Sequence, residues 1–343
     1  MDFSFSEEQV AFRDAVRVLL DAVAGPDRVR AAWAGGPGWD AVLWRRLADM
    51  GVLGLLAPPG AGGLGLSELD LILVLEESGR AALPGPLVEH AAVAIPLLAG
   101  AGCDGLVAEA AAGGKTVTFS DRATRVGWAA EADAAVVLDG GRARLLHRAD
   151  VSVISTLACV DGSRRDAAVA WTGGELLAGV DVALALDRAA LGAAAQLCGL
   201  AARLVELTVA YVTERRQFGV PIGSYQAVKH HLADALLALE HARPTVYRAA
   251  WSVARDLPTR ARDVSTAKAM AGDAAGVAAR VALQCHGAIG YTWESDLHLW
   301  MKRVWVLERA WGDSAAHRAR VADALLGAQA GGNGASAAAR LIP

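Results

Sequence analysis

The hydrophobic pattern of this 343-residue chain changes its period twice, and this limits the folds open to it. Up to about residue 112, apolar residues recur at the spacing of helices. From Gly113 onward the chain consists of short runs rich in Val, Thr and Ile, which are typical of strands. From Asp187 the helical spacing returns. This order predicts an α+β protein whose strands are confined to the middle.

The same changes predict three domains and a tail. Residues 1–112 form an N-terminal helical domain and residues 113–181 a small, reduced β domain. Residues 182–330 form a C-terminal helical bundle, and the Gly- and Ala-rich residues 331–343 form a flexible tail. A chain of this length agrees with two or three domains of about 100–200 residues each.

Capping signals predict where some helices begin and end. Ser6 followed by Gln9 makes a capping-box pattern, so we expect a helix from Glu7. In "SELDLILVLEESG", Ser67 is expected to cap the start and Gly79 the end. Later helices are predicted over four segments, at 187–214, 225–256, 260–285 and 294–328. Strands are predicted for the runs "KTVTFS", "AAVVLD", "ARLLHR" and "VSVIST".

Charge and hydropathy exclude several classes of partner. A formal net charge of −4 gives no electrostatic reason to bind nucleic acid. The N-terminal residues lack the basic and then apolar pattern of a signal peptide. The apolar stretch from Ala91 to Cys103 contains Pro96 and is far shorter than the ~20 residues that span a bilayer. We therefore expect a cytoplasmic protein with no nucleic-acid or membrane partner.

Cysteine and histidine spacing gives no sign of a metal centre. His286 and His298 have no ligand partner at metal spacing, so structural or interface roles are favoured. The cysteines are widely separated and form no CxxC pair, which predicts neither a zinc site nor a disulfide framework: Cys103, Cys159, Cys198 and Cys285.

Two glycine-containing segments suggest phosphate binding with different strength. "GAGGLG", residues 60–65, matches a dinucleotide-binding expression, but it links two predicted helices and no parallel-sheet pattern follows, so a structural turn is favoured. In "ERRQFGVPIGSYQAVKH", Arg215 and Arg216 end a predicted helix beside Phe218. They could grip a pyrophosphate and pack an adenine, or they could be a solvated helix end; the residues alone leave both open. Ser224 or Tyr225 is expected to cap the next helix.

"ERRQFGVPIGSYQAVKH" and "QCHGAIGYTWESDLHLWMKR" together resemble motifs of the acyl-CoA dehydrogenase family of flavoproteins. "PPGAGGLGLSELD" resembles that family's turn in its first helical domain, and the resemblance follows the whole chain in order. It implies an acyl-CoA dehydrogenase-like fold with an N-terminal helical domain, a small middle β domain and a C-terminal four-helix bundle. It also implies FAD as cofactor and α,β-dehydrogenation of an acyl-CoA thioester.

The resemblance further implies which residues hold the cofactor. In that family FAD lies across a subunit interface, and the C-terminal domain of one chain holds the ADP end. The residues that fall on ADP-side positions in the two motifs are Arg215, Gln217, Phe218, Gln284, Cys285, Gly287 and Ala288.

The family reaction needs a carboxylate to remove the α proton. At the two positions where family members carry that carboxylate, the resemblance places other side chains in this chain. Trp311 stands at the usual position and Ala189 at the alternative one, and neither side chain accepts a proton. Asp187 and Glu308 remain as substitutes, although Asp187 with Arg188 also resembles a charge pair at a helix start. Glu308, one turn before Trp311, could equally be a satisfied helix carboxylate. We expect no catalytic residue in this chain.

A second departure lies in the β domain. The segment "TFSDRATRVGW" lacks the "TEPxxGSD"-like loop with which family members usually hold the flavin ring. A second acyl-CoA dehydrogenase-like chain is therefore expected to supply the Glu and the flavin pocket in an α2β2 heteromer. The form "HGxIGxTWExDLHLxxKR" resembles an actinobacterial-type branch that acts on bulky thioesters, including steroid side-chain acyl-CoA. Electron-transfer flavoprotein or a similar acceptor would take the electrons.

Two alternatives stay open. One is a homomeric dehydrogenase that uses Asp187 or Glu308 as its base. The other is a structural subunit that binds no cofactor, which would have no need of Arg215, Phe218 and Gln284. We also expect one apolar helix face that packs in the core or in a subunit interface. Its residues recur at helical spacing: Leu297, Trp300, Met301, Val304, Leu307 and Trp311.

Overall fold

The structure is a computed structural model that describes residues 4–327. Within that range six α-helices precede the sheets: α1 Glu7–Val23, α2 Pro26–Ala34, α3 Ala41–Asp49, α4 Glu68–Arg80, α5 Ile95–Gly100 and α6 Asp104–Ala111. A π-helical segment, Val88–Ala94, leads directly into α5. The predicted capping box is present, because the Gln9 N–H donates to Ser6 Oγ at 3.2 Å and the Ser6 N–H donates to Gln9 Oε1 at 3.0 Å. The helix starts at Glu7, as expected.

The ends of α4 differ in part from the prediction. The helix begins after Ser67, but the Ser67 N–H and hydroxyl both donate to Asp70, at 2.9 and 2.8 Å. It does not end at Gly79 and continues to Arg80. Gly79 is needed for close packing instead, because a Cβ there would lie 2.1 Å from the backbone oxygen of Gln196 on a neighbouring helix.

The "GAGGLG" segment is a tight turn between helices. A short 3-10 turn, Pro59–Ala61, leads into Gly62 and Gly65, whose φ angles are 79° and 63°. A Cβ on Gly63 would lie 2.2 Å from the Ala57 backbone oxygen. In the described residues before this turn every element is a helix, so the glycines serve the turn.

The middle of the chain forms two small sheets. The strands are β1 Val117–Ser120, β2 Arg125–Gly127, β3 Ala134–Asp139, β4 Arg142–His147, β5 Val151–Thr156, β6 Asp166–Trp171 and β7 Glu175–Leu176. One sheet has the order β1-β3-β4-β7, in which only the β1 and β3 pair is parallel. The other has the antiparallel order β2-β6-β5. A common core joins them, with Val126 and Val169 from one sheet and Val137 and Leu146 from the other.

The C-terminal part contains five further helices: α7 Val182–Glu214, α8 Gln226–Ala254, α9 Arg260–His286, α10 Leu297–Leu307 and α11 Ser314–Leu326. A two-stranded hairpin of β8 Arg216–Gln217 and β9 Val220–Pro221 joins α7 to α8. The helices α8, α10 and α11 all pack on α9. The α+β fold with a helical N-terminal part, a small β region and a C-terminal bundle is therefore confirmed.

Three details of these helices correct the expectations. The helix α7 begins at Val182, before Asp187, where the Leu184 N–H donates to the Asp181 side chain at 2.9 Å. Neither Ser224 nor Tyr225 caps α8 with a side-chain bond, and the Ser224 hydroxyl instead donates to the Pro221 oxygen at 2.7 Å.

The segment 294–328 is two helices, not one. The helix α10 ends at Leu307, and Trp311 lies in the following turn with a φ of 60°. Trp311 is therefore absent from the apolar face on which we expected it. The other five residues of that face are buried in α10: Leu297, Trp300, Met301, Val304 and Leu307.

The chain divides into two compact units. One contains Leu75–Ala82 with the residues from Ala193 onward, and the other contains Phe5–Val74 and Leu83–Gly192. The domain boundaries predicted from sequence stay predictions, and the predicted tail, 331–343, lies outside the described residues.

The most apolar long helix is α7 rather than the stretch from Ala91 to Cys103. By length and composition alone α7 could cross a membrane. However, 61% of its most apolar window is buried inside the protein, as in a core helix. Ala193 and Leu197 within it are both fully buried, at 0% exposure.

Within the first unit, α4 and α7 approach each other through a glycine. A Cβ on Gly199 would lie 1.8 Å from the backbone oxygen of Glu76 and 2.6 Å from the backbone nitrogen of Arg80. Backbone atoms cannot move aside as a flexible side chain can. Nearby, the Glu76 carboxylate accepts hydrogen bonds from Arg243 and Tyr247, each at 2.8 Å, and links α4 to α8.

We expect Gly199→Ala to lower the free energy of unfolding by at least about 2 kcal/mol, because the two helices must move apart. The matched control is Gly105→Ala in α6, where a Cβ meets no atom within 4 Å. That change should be neutral or should stabilise by about 0.5–1 kcal/mol. Urea unfolding followed by circular dichroism measures both variants. A wild-type midpoint for Gly199→Ala would refute the close contact.

Candidate site at the ends of α7, α9 and α10

The structure brings the two sequence motifs together in one unit. Tyr211, in the last turn of α7, stacks on His286 at the end of α9, with ring centroids 4.2 Å apart and planes inclined by 16°. The Tyr211 hydroxyl also donates to the His286 backbone oxygen at 3.4 Å. Arg215 follows Tyr211 by one turn and Gly287 follows His286, so both predicted groups of residues lie beside this stack. The sequence analysis did not single out Tyr211; an aromatic side chain one turn before the arginines was the available signal.

The hairpin after α7 presents Phe218 at its tip. Phe218 and Gly219 have φ angles of 53° and 84°, as in the two-residue turns that favour β-hairpins. Phenylalanine rarely adopts this left-handed conformation, and its side chain here is 93% exposed. A strained and exposed aromatic residue on a short hairpin is characteristic of a ligand-binding or protein-binding surface.

Two adjacent arginines lie at the base of that hairpin. Arg215 and Arg216 are exposed, and Gln217 beside them is exposed as well. Across residues 4–327 neither guanidinium makes an ion pair. Their positive charge is therefore available to an anion, and a guanidinium can bind phosphate oxygens in a bidentate manner.

The end of α9 supplies an open stretch of backbone. Gln284 and Ala288 are exposed, and Gly287 has φ 65° and ψ −141°, a conformation that residues with a Cβ rarely adopt. A Cβ on Gly287 would meet no atom within 4 Å, so a ligand can approach the backbone there. Cys285 is half-buried, and burial raises the pKa of its thiol, which keeps it protonated and unreactive.

The lone histidines and the cysteines have structural surroundings. Nδ1 of His286 lies 2.8 Å from the Ala282 backbone oxygen, and burial lowers the pKa of the His286 ring. His298 packs edge to face against Trp293 at 4.6 Å between ring centroids. In residues 4–327 the four cysteines form no disulfide, and no group of three metal-ligating side chains is assembled.

The position that the family resemblance gives as the alternative one for a base lies inside α7. Ala189 is fully buried and Asp187 is 2% exposed. Arg188 does not form the expected charge pair with Asp187, because its guanidinium bonds to Glu68 on α4 at 2.7 Å. Glu68 can face Arg188 because it lies on a separate helix. Asp187 and Arg188 are adjacent in one helix, so their side chains point in different directions.

The position that the family resemblance gives as the usual one for a base lies in the turn after α10. Trp311 is half-buried there, and Gly312 follows with a φ of 97°. Glu308 does not share a helical face with Trp311, since it is the C-cap residue of α10. Its carboxylate lies on α9, where a Cβ on Gly276 would be 2.5 Å from Glu308 Oε1. Burial raises the pKa of Glu308, while the charge of Arg280 opposes that rise.

A buried lysine holds this turn, and the sequence analysis missed it. Lys268 on α9 is 0% exposed, and its Nζ donates to the backbone oxygens of Glu308 at 3.0 Å and Gly312 at 2.9 Å. The available signal was one lysine within a run of small residues, "STAKAMAGDAAG". Such a lysine is buried only where acceptors surround its ammonium group.

The segment "TFSDRATRVGW", residues 118–128 in the other unit, contributes Arg125 to a cluster of paired charges. Arg125 bonds to Asp166 at 2.8 Å, and Arg164 lies 2.9 Å from Asp166 and 3.7 Å from Glu89. Burial lowers the pKa of Arg164, but Asp166 and Glu89 outweigh it and raise the pKa overall. These arginines are therefore compensated within the chain, unlike Arg215.

Two domain models of one family match most of this chain. Residues 6–124 match the acyl-CoA dehydrogenase N-terminal domain model, and residues 178–326 match the acyl-CoA dehydrogenase C-terminal domain model. Acyl-CoA dehydrogenase IpdE2 of Mycolicibacterium smegmatis is 36% identical over 301 residues, which cover 87% of this chain and 92% of that protein.

Solved structures are similar over almost the whole chain. A chain of the ChsE4-ChsE5 complex from Mycobacterium tuberculosis superposes with a TM-score of 0.85 and 26% identity, covering 95% of this chain and 99% of that one. The FAD complex of PigA superposes with a TM-score of 0.82, at 18% identity, over 95% of this chain and 99% of that one, and shares the fold. With its two domain matches and its close relatives, this chain belongs to the acyl-CoA dehydrogenase family, whose cofactor is FAD.

Proposed function

We propose that this chain is one of two dissimilar subunits of an acyl-CoA dehydrogenase, in which it holds the ADP end of FAD. The partner chain, itself acyl-CoA dehydrogenase-like, supplies the catalytic carboxylate and the pocket for the flavin ring. One observation carries the proposal: Arg215 is exposed and unpaired among the described residues. By the family resemblance, Ala189 and Trp311 stand at the two positions where family members carry the base.

The residues at the ends of α7 and α9 suit the ADP half of FAD in charge and shape. Arg215 would form charge-assisted hydrogen bonds to the pyrophosphate, and Phe218 offers an exposed ring against which adenine can pack. Gln217 and Gln284 are exposed amides that can donate hydrogen bonds. The remaining proposed contacts come from the α9 end, at Cys285, Gly287 and Ala288. When bound, FAD supplies the acceptor for the hydride that leaves the β carbon.

The flavin side of this chain is less suitable. Arg125 and Arg164 in the β region are paired with Asp166 and Glu89, so their charge is compensated within the chain. The usual flavin-side loop is also missing from "TFSDRATRVGW". Both points favour a flavin pocket in the partner subunit.

A homomeric dehydrogenase that uses Glu308 is the second candidate function. Burial raises the pKa of Glu308, which is the direction that suits a general base at neutral pH. Against it, the carboxylate lies over Gly276 on α9, within reach of the Arg280 charge. Asp187 is a weaker candidate because it is 2% exposed inside α7. A structural subunit without cofactor leaves the exposed Phe218 and unpaired Arg215 unexplained.

The wider setting is part of the same proposal. The resemblance of the motif "HGAIGYTWESDLHLWMKR" favours a bulky acyl-CoA substrate, including steroid side-chain thioesters. The similarity to a chain of the ChsE4-ChsE5 complex favours a heteromer, which we propose to be α2β2. Electron-transfer flavoprotein or a similar acceptor would reoxidise the flavin. We place the assembly in the cytoplasm, without nucleic-acid or membrane partners.

Arg215→Ala should weaken FAD binding to the assembly by about 1.5–3 kcal/mol, the range for hydrogen bonds to charged groups, or roughly 10- to 150-fold in Kd. Arg216→Ala is the matched control, because it removes an equal exposed charge at the next residue. Flavin release on dilution, followed by fluorescence, gives both constants. An equal loss of FAD affinity in the two variants would indicate general electrostatic attraction. Unchanged FAD affinity in Arg215→Ala would show that Arg215 is only a solvated residue at the end of a helix.

Neither Asp187→Asn nor Glu308→Gln should lower turnover of the assembly by more than a few-fold. Replacing the partner subunit's base with Gln should lower turnover by about 10²–10⁴-fold, as is typical when a general base is lost. Steady-state kinetics with an artificial electron acceptor measures all three. A loss of that size in Glu308→Gln, with FAD content unchanged, would favour the homomeric enzyme and contradict our assignment.

A further inference from the structure

The turn between α10 and α11 has an unusual backbone. Trp311 and Gly312 take φ angles of 60° and 97°, so two successive residues are left-handed. For a tryptophan this conformation is strained and persists only where surrounding contacts impose it. The contacts that impose it come from α9 and α11.

Lys268 provides the first of these contacts. Its ammonium donates to the oxygens of Glu308 and Gly312, at 3.0 and 2.9 Å, which lie on either side of Trp311. Burial lowers the pKa of Lys268 to about 8, although the carboxylates of Glu308 and Asp313 oppose the fall. The lysine is therefore mostly charged at pH 7, and a charged donor gives the stronger hydrogen bond.

His317 on α11 provides the second contact. Its Nε2 lies 2.9 Å from the Trp311 backbone oxygen. Burial and then the charge of Lys268 lower the pKa of His317 to about 4, so the ring is neutral at pH 7. Because a carbonyl only accepts, the proton must be on Nε2. The backbone oxygens of Glu308, Trp311 and Gly312 are thus all held by buried donors.

Two further bonds fix the start of α11 beside the turn. The Asp313 side chain accepts from the Ala316 N–H at 2.8 Å, which caps the helix. The Ser314 hydroxyl donates to the Ala269 oxygen, one residue after Lys268, at 3.2 Å. The turn is therefore fixed on both sides, and Lys268 brings a full positive charge to two of its carbonyls.

We propose that Lys268 is a positioning residue whose ammonium fixes the left-handed turn and thereby the place of the Trp311 indole at the substrate site. What the indole does there rests on the proposed function, in which Trp311 stands where family members carry the base. In that place the indole is an apolar wall against the acyl chain. Losing the ammonium releases the wall without removing any group that touches the reacting atoms.

Lys268→Met, made in the assembly, keeps the length of the stem and removes the ammonium. The control is Lys302→Met on α10, which also removes an ammonium group, one that lies 4.2 Å from the Trp293 ring centroid. Hydrogen exchange of a peptide spanning 308–314 should speed up about tenfold or more in Lys268→Met and stay unchanged in the control. Unchanged exchange in Lys268→Met would overturn the proposal.

Trp311 emission gives a second readout that general destabilisation does not mimic. It is the spectrum of each protein minus that of the same protein with Trp311→Phe. The difference spectrum should shift to the red in Lys268→Met, because the released indole meets water, and should not shift in Lys302→Met. Should Lys268→Met not assemble, Lys268→Gln keeps a neutral donor in the same place, and a smaller red shift is expected. An unshifted spectrum in a folded variant contradicts the proposal.

Kinetics separate this inference from the proposed function. If the inference and the proposed function both hold, Lys268→Met and Trp311→Ala each raise KM for acyl-CoA several-fold, and kcat stays within about twofold. This is the pattern expected when a mutation removes an interaction that binds the ground state and the transition state equally well. If exchange and emission change but neither variant alters KM, Lys268 still positions the turn. In that case Trp311 does not face substrate, and the proposed shared site fails at this point.

Discussion

Close approach between helix backbones determines where the functional groups of this chain lie. Gly199 lets α7 meet α4 with no space for a methyl group, and Gly276 lets the Glu308 carboxylate lie directly on α9. Helices that pack this closely have little freedom to slide, so their ends are fixed as well. The Tyr211 and His286 stack then holds the end of α7 against the end of α9. The proposed ADP-side residues lie in the last turn of α9 or just beyond the ends of α7 and α9.

Charge compensation separates the groups that stabilise the chain from those available to a ligand. Arg188, Arg164 and Arg243 each bond to a carboxylate from another element, which satisfies them internally. Arg215 has no such partner in residues 4–327, and Phe218 beside it is 93% exposed. A chain that kept these residues only for its own stability would gain nothing from them. Their exposure is explained if a cofactor and a second subunit cover them.

Local signals predicted much of the fold. The capping box at Ser6, the strands β3 and β5 and the order of helical and β regions follow from short-range pattern and agree with the structure. The strand β6 was not predicted because "DAAVAW" is rich in alanine, which has low strand propensity. The break after Leu307 was not predicted either, since it depends on Lys268, which lies far away in sequence. Two long motifs predicted the candidate site, but spacing alone could not identify the buried donors behind Trp311.

The number of FAD molecules bound per chain tests the central claim most directly, because a shared site needs both subunits. Native mass spectrometry and flavin absorbance can count FAD on this chain purified alone and on the assembly with its dehydrogenase partner. The account predicts little or no FAD on the isolated chain and one FAD for each pair of dissimilar chains in the assembly. A monodisperse isolated chain that carries one FAD per subunit and dehydrogenates acyl-CoA would contradict it.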